Sequence, residues 1–152
     1  IGLVSYLTGQ VKQEQIFLRT AVPNLLLTPS GPIAPNPSEL LSSARMREFV
    51  QSVGTLFDFV IIDTPPTLAV TDPTLVGSMV DGVVLCVCAR RVLREDAKAC
   101  RERLRMADVR VLGTVLNRYR EVRTGYGRRY QSYYSADRET TSERKSTSGS
   151  AA

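Results

Sequence analysis

Three short apolar runs separated by helix-type patterns constrain the fold of this chain more than any other feature. Phe57-Asp58-Phe59-Val60-Ile61-Ile62-Asp63, Val83–Cys88 and Val109–Leu116 read as strands, the third interrupted by Gly113. Between them, Leu41, Met46, Phe49, Val50 and Val53 fit one face of a helix. Leu93, Ala97, Cys100 and Leu104 form the seam of another, at i, i+4, i+7 and i+11. Strands alternating with helices build βαβ units, so the expected class is α/β, a parallel sheet with helices on both faces. Val83–Cys88 has no polar interruption, as expected for a strand covered on both sides, with Cys86 and Cys88 as buried thiols of a reducing compartment. Leu25–Thr28 reads as a further buried strand. Four of the eight prolines follow within Pro29–Pro37 and exclude regular structure there, with Ser38 placed to cap the next helix.

Composition narrows the chemistry. Among 152 residues there is no His, which excludes His-based triads, general bases and metal ligands. Three cysteines at these positions make neither a disulfide framework nor a zinc site. No stretch is long and apolar enough to span a bilayer. The chain begins with Ile1, and the expectation is that it is the C-terminal part of something longer. Its net charge of +5 is unevenly placed. Residues 1–117 hold 12 basic and 11 acidic groups, whereas residues 118–152 hold 8 and 4. A near-neutral body argues against a nucleic-acid face. The division expected is a folded part over 1–118 and a disordered, Tyr- and Arg-rich tail over 119–152, where Val122 is the only aliphatic residue larger than Ala.

Asp63 is the first candidate for chemistry. A carboxylate at the end of an apolar strand lies at the carboxyl edge of a parallel sheet, where ligands bind in open α/β folds. Spacing alone leaves this role level with that of an ordinary turn former. Thr64-Pro65-Pro66, which stops the strand, sharpens it. The tyrosines are the second candidate. Tyr119, Tyr126, Tyr130, Tyr133 and Tyr134 lie within 16 residues of an otherwise aromatic-poor chain. Taken alone, such a tail reads as low-complexity sequence or as a platform for stacking nucleic-acid bases. Asp72 either orders the loop after Asp63 or caps the next helix, and Arg90-Arg91 is assigned no role.

Gly2-Leu-Val-Ser-Tyr-Leu-Thr-Gly9, Pro29-Ser-Gly-Pro-Ile-Ala-Pro-Asn-Pro-Ser-Glu-Leu-Leu41, and Phe57–Pro66 with Val70-Thr-Asp72 occur in an order and at distances that matter together. In combination they resemble the bacterial protein-tyrosine kinases of capsular and exopolysaccharide synthesis, over about residues 1–118 and on into the tail. The resemblance implies a P-loop NTPase-like fold and ATP with magnesium as cofactors. It gives Asp63 the Walker B role, catalytic and holding the metal through water. It makes Tyr126, Tyr130, Tyr133 and Tyr134, and less readily Tyr119, phosphoacceptors modified in trans. Asn117, after the last strand, stands where a polar residue contacts adenine, although an ordinary turn residue fits equally well. The implied partners are sister subunits in a ring and a membrane chain-length regulator, with the protein cytoplasmic at the inner face of the plasma membrane. No nucleic acid is expected.

One departure is large. A phosphate-cradling loop needs Gly-Lys followed by Ser or Thr, and none of the ten glycines precedes a Lys. The family's second acidic motif, of the form Asp-x-Asp, is missing too. The expectation is that the Walker A half lies before Ile1, that this chain alone does not bind ATP productively, and that the sheet is left with uncovered apolar edges. The competing readings are a partition or positioning ATPase of the same superfamily and a non-catalytic interaction module.

Overall fold

In the computed structural model the described residues are 1–120. Contacts divide the chain after Asn117, and the fold described here is that of Ile1–Asn117. Chain order is α1 (Leu3–Leu7), a 3-10 turn (Gln13–Ile16), β1 (Leu18–Arg19), β2 (Leu26–Leu27), α2 (Pro37–Ser42), α3 (Ala44–Leu56), α4 (Asp72–Gly77), β3 (Val83–Cys88), α5 (Arg94–Met106) and β4 (Val111–Asn117).

The core is built around α3. Ser43 ends α2 and caps α3, its hydroxyl accepting from the Met46 amide at 3.2 Å. Met46, Phe49 and Val53 then fall on one face and are buried with Leu7, Ile16 and Val76. The sequence pattern of that face is therefore realised, but by two helices that break at Ser43. Ser38 is not the helix cap expected of it. Asn36 is the N-cap of α2, Pro37 occupies its first turn, and the Ser38 hydroxyl is free to reach α4 instead.

Two of the motifs quoted above meet backbone to backbone. The amides of Leu3 and Val4, at the start of α1, donate to the carbonyls of Pro29 and Ser30 at 2.8 and 2.9 Å. Gly2 lies so close to Pro29 O and the Gly31 backbone that a Cβ there would collide with both. Gly31 itself has φ +84°. The glycines and the Pro-Ser-Gly-Pro turn thus form one structural unit, which accounts for their occurring together.

The parallel pairing expected of the later strands is present. β3 and β4 run parallel from Val83↔Val111 to Cys88↔Asn117, with an irregularity after Val83. Helix α5 connects them, with Glu95 and Asp96 in its first turn and Arg103 and Arg105 in its last, each complementing the helix dipole. Leu104, the last residue of the expected seam, is completely buried.

Three expectations are corrected. Leu25–Thr28 is not a buried strand: only Leu26–Leu27 pairs, antiparallel to β1, and both residues are exposed because no further layer covers the hairpin. The Phe57–Asp63 run forms no strand among the described residues, and Phe59 and Ile61 are 90% and 93% exposed. It has strand-type sequence but no neighbour to supply ladder hydrogen bonds, and strand propensity without a partner does not make a strand. Finally, Cys86 is exposed and Cys88 only half-buried. Along β3 exposure alternates through Val84 and Cys86, so one face of the strand is packed and the other is not.

Candidate functional site

Asp63 follows directly on Ile62, a half-buried residue that packs against the helical core. After it, Pro65 and Pro66 fix two successive φ angles and offer no amide donors. The chain then turns, with the Ala69 amide donating to Pro66 O at 3.0 Å. The Asp63 carboxylate is exposed, and no hydrogen bond or ion pair within the described residues engages it. An exposed, unengaged carboxylate on a stiff turn is well suited to an outer-sphere role toward a hydrated cation. Magnesium keeps several waters and takes one or two carboxylates besides substrate phosphates. The described residues contain no cluster of three or more potential metal ligands, so Asp63 would be a single contribution to such a site.

Two side chains from other elements reach the segment after Asp63. Arg103 on α5 donates from Nη1 to the Thr67 carbonyl at 2.9 Å. Ser38 on α2 lies 3.3 Å from Asp72 Oδ1, to which its hydroxyl donates, and 3.2 Å from the Thr71 hydroxyl. This resolves the two roles left open for Asp72. Thr71 is the N-cap of α4, and Asp72, in the first turn, ties α4 to α2. Neither Arg103 nor Ser38 was singled out from sequence as a partner of this loop. Their bonds run between residues 36 and 34 positions apart, a separation that carries no local pattern.

Asn117 closes β4 opposite Cys88, and its carbonyl accepts from the Ala89 amide at 2.9 Å. It is therefore at the carboxyl end of the parallel pair, where the sequence resemblance implies a base contact. Arg90 and Arg91, both exposed, form the adjoining turn, Arg90 with φ +64°. Tyr119 is exposed, whereas Tyr126, Tyr130, Tyr133 and Tyr134 lie outside the described residues. Tyr6, the one tyrosine of the body, is half-buried: its ring lies 5.5 Å from that of Phe49 and 4.6 Å beneath the Arg45 guanidinium. Cys100, half-buried on α5, has its thiol pushed above its ordinary range by burial, with Asp96 adding to the shift. No described helix is long and apolar enough to cross a membrane.

No protein-family model matches the chain. Known proteins nonetheless resemble it along most of its length. The tyrosine-protein kinase CpsD of Streptococcus agalactiae is 36% identical over 137 residues, 90% of this chain and 59% of that protein. Since 137 exceeds the 120 described residues by 17, the similarity continues into the Tyr-rich segment. Among solved structures, the VpsO kinase domain superimposes with a TM-score of 0.74 at 30% identity, covering 78% of this chain and 59% of that domain. The kinase domain of the Escherichia coli tyrosine kinase ETK gives 0.72 at 30% identity, covering 81% and 50%. The chain thus spans between half and three-fifths of these relatives. Sequence and fold agree: over most of its length this chain is similar to a part of the kinase domain of bacterial tyrosine-protein kinases.

Proposed function

We propose that this chain carries the Walker B carboxylate and the acceptor tyrosines of an ATP-dependent protein-tyrosine autokinase that regulates capsular or exopolysaccharide polymerisation and export. The observation that supports this most is Asp63 itself. Its carboxylate is exposed, follows a strand-type run, and sits on a two-proline turn within a chain related to kinases of this kind. Magnesium, when bound, would neutralise charge on the transferred phosphoryl group. Asp63 would hold the metal through water, and Asn117, at the carboxyl end of β4, would contact the base. A tail phenol oxygen would form the new bond to the γ-phosphorus as the bond to the ADP oxygen breaks, its proton passing to a carboxylate of the Asp-x-Asp motif.

Phosphoryl transfer depends chiefly on positioning and charge neutralisation, so the phosphate loop is indispensable. In this reading that loop and the Asp-x-Asp motif are contributed by residues outside this sequence, residues 1–118 belong to the kinase domain, and residues 119–152 are the acceptor segment. Sister subunits in a ring and a membrane chain-length regulator are the proposed partners, which would place the protein at the inner face of the plasma membrane. Incubating the 152-residue chain with labelled ATP and magnesium provides the test. The chain alone should incorporate no more phosphate than its Asp63→Ala variant. Joining a segment with a Gly-Lys-Ser/Thr loop upstream should produce labelling that Asp63→Ala removes. Labelling by the chain alone above that control would overturn the reading.

A further inference from the structure

The segment that begins at Asp63 has two fixed flanks. On one side Ile62 leans on the helical core, and on the other the Thr67 carbonyl accepts from the Arg103 guanidinium at 2.9 Å. Between them, Thr64-Pro65-Pro66 has two locked φ angles, which leaves fewer torsions to absorb a displacement at Thr67 before it reaches Asp63. Arg103 and Thr67 are both half-buried, which strengthens a charged hydrogen bond relative to one in water. Farther along, Ser38 holds Thr71 and Asp72, so the whole stretch from 67 to 72 is braced by α5 at one end and α2 at the other.

We infer that Arg103 is a positioning residue for Asp63: through the Thr67 carbonyl it sets where the Asp63 carboxylate stands. This rests on the Walker B reading of Asp63. Arg103 touches neither nucleotide nor metal in this account. A guanidinium suits the task, since its planar donors bind a carbonyl in a defined direction. Lysine at this position would keep one donor and the charge but lose the fixed direction.

Two measurements test it. Amide hydrogen exchange of the intact 152-residue chain, wild type against Arg103→Ala and Arg103→Lys, reads the brace directly. Arg103→Ala should speed exchange at Ala69 by about tenfold, the scale of one charged hydrogen bond, while amides of α3 keep their rates. Arg103→Lys should fall between the two. Equal exchange at Ala69 in all three proteins, or uniform acceleration across the fold, would overturn the inference. The second measurement uses the chain completed with an upstream phosphate-loop segment, following phosphorylation against magnesium concentration. Arg103→Ala should raise the magnesium concentration for half-maximal rate about tenfold, with a smaller fall in kcat and partial restoration in Arg103→Lys. A lower kcat at unchanged magnesium requirement would mean that Arg103 only stabilises the fold. If the completed wild type transfers no phosphate while Ala69 still responds to Arg103, the brace stands and the kinase reading falls.

Discussion

Met46 on α3 and Val84 on β3 both occupy strongly patterned apolar positions, yet Met46 is fully buried and Val84 is exposed. The two side chains belong to layers that close differently. Helix α3 finds Leu7, Ile16 and Val76 within residues 1–117 and completes its core with them. The strand layer has one parallel pair, an exposed outer face through Val84 and Val115, and a strand-type run at 57–63 with no ladder. Helices satisfy their backbone internally, whereas strands need neighbours, so a strand layer is far more sensitive to which other segments are present. The residues proposed for chemistry, Asp63 and Asn117, belong to the more open layer.

Truncating the closed layer should give the largest effect. Met46→Ala removes a completely buried side chain and should cost about 2–5 kcal/mol, read as a shift of the denaturation midpoint in urea. A shift below that range would mean that the helical layer is looser than described. Next is Gly2→Ala, where the new methyl meets Pro29 O and Gly31 and should cost about 1–3 kcal/mol by the same measurement. On the open layer the sign of interest changes. Ile61→Lys, at a position 93% exposed, should leave stability within about 0.5 kcal/mol but reduce self-association in sedimentation at high protein concentration. Unchanged association would show that the uncovered run is not what brings copies together.

Thiol labelling draws the same contrast at finer scale. Cys86, on the exposed face of β3, should react with an alkylating agent well before Cys100, whose half-burial raises its pKa and so lowers its thiolate fraction at neutral pH. Raising the pH should speed Cys100 until its displaced pKa is passed. Faster labelling of Cys100 would contradict the packing of α5. The smallest effect belongs to the Glu102–Arg105 pair, 2.7 Å apart on the surface of α5. The hydrogen bond from Arg105 lowers the pKa of Glu102, so any stabilisation is present above the carboxylate range and is lost as pH falls through it. Both groups are open to solvent, and Glu102→Gln should leave the melting temperature unchanged at neutral pH.

How much of this was legible in the sequence follows from the same division. The face Met46–Phe49–Val53 was readable because helical periodicity is local; the seam on α5 was readable in part, running from half-buried Ala97 and Cys100 to buried Leu104 while Leu93, its first residue, is the exposed N-cap. The parallel character of β3 and β4 followed from alternation with α5. The apolar runs at Leu25–Thr28 and Phe57–Asp63 were overread, since apolar sequence signals a capacity to pair and not the presence of a partner. Asp63 was proposed from the end of a strand-type run and the two prolines after it, although the run itself forms no strand among the described residues. Arg103 and Ser38 were not, because a side chain donating to a carbonyl 36 positions away, or to a carboxylate 34 away, leaves no trace in local spacing. The tie between Gly2 and Pro29-Ser30-Gly31 was visible only as the co-occurrence of two motifs, and the backbone contact supplies its cause.

The most direct test of the central claim locates the phosphate. With an upstream phosphate-loop segment joined to this chain, reaction with ATP and magnesium followed by peptide mapping should place phosphate within residues 119–134, chiefly at Tyr126, Tyr130, Tyr133 and Tyr134. Tyr6, held between Phe49 and Arg45, should stay unmodified. Asp63→Ala should remove the signal throughout. Phosphate at Tyr6, or tail labelling that survives Asp63→Ala, would contradict the account.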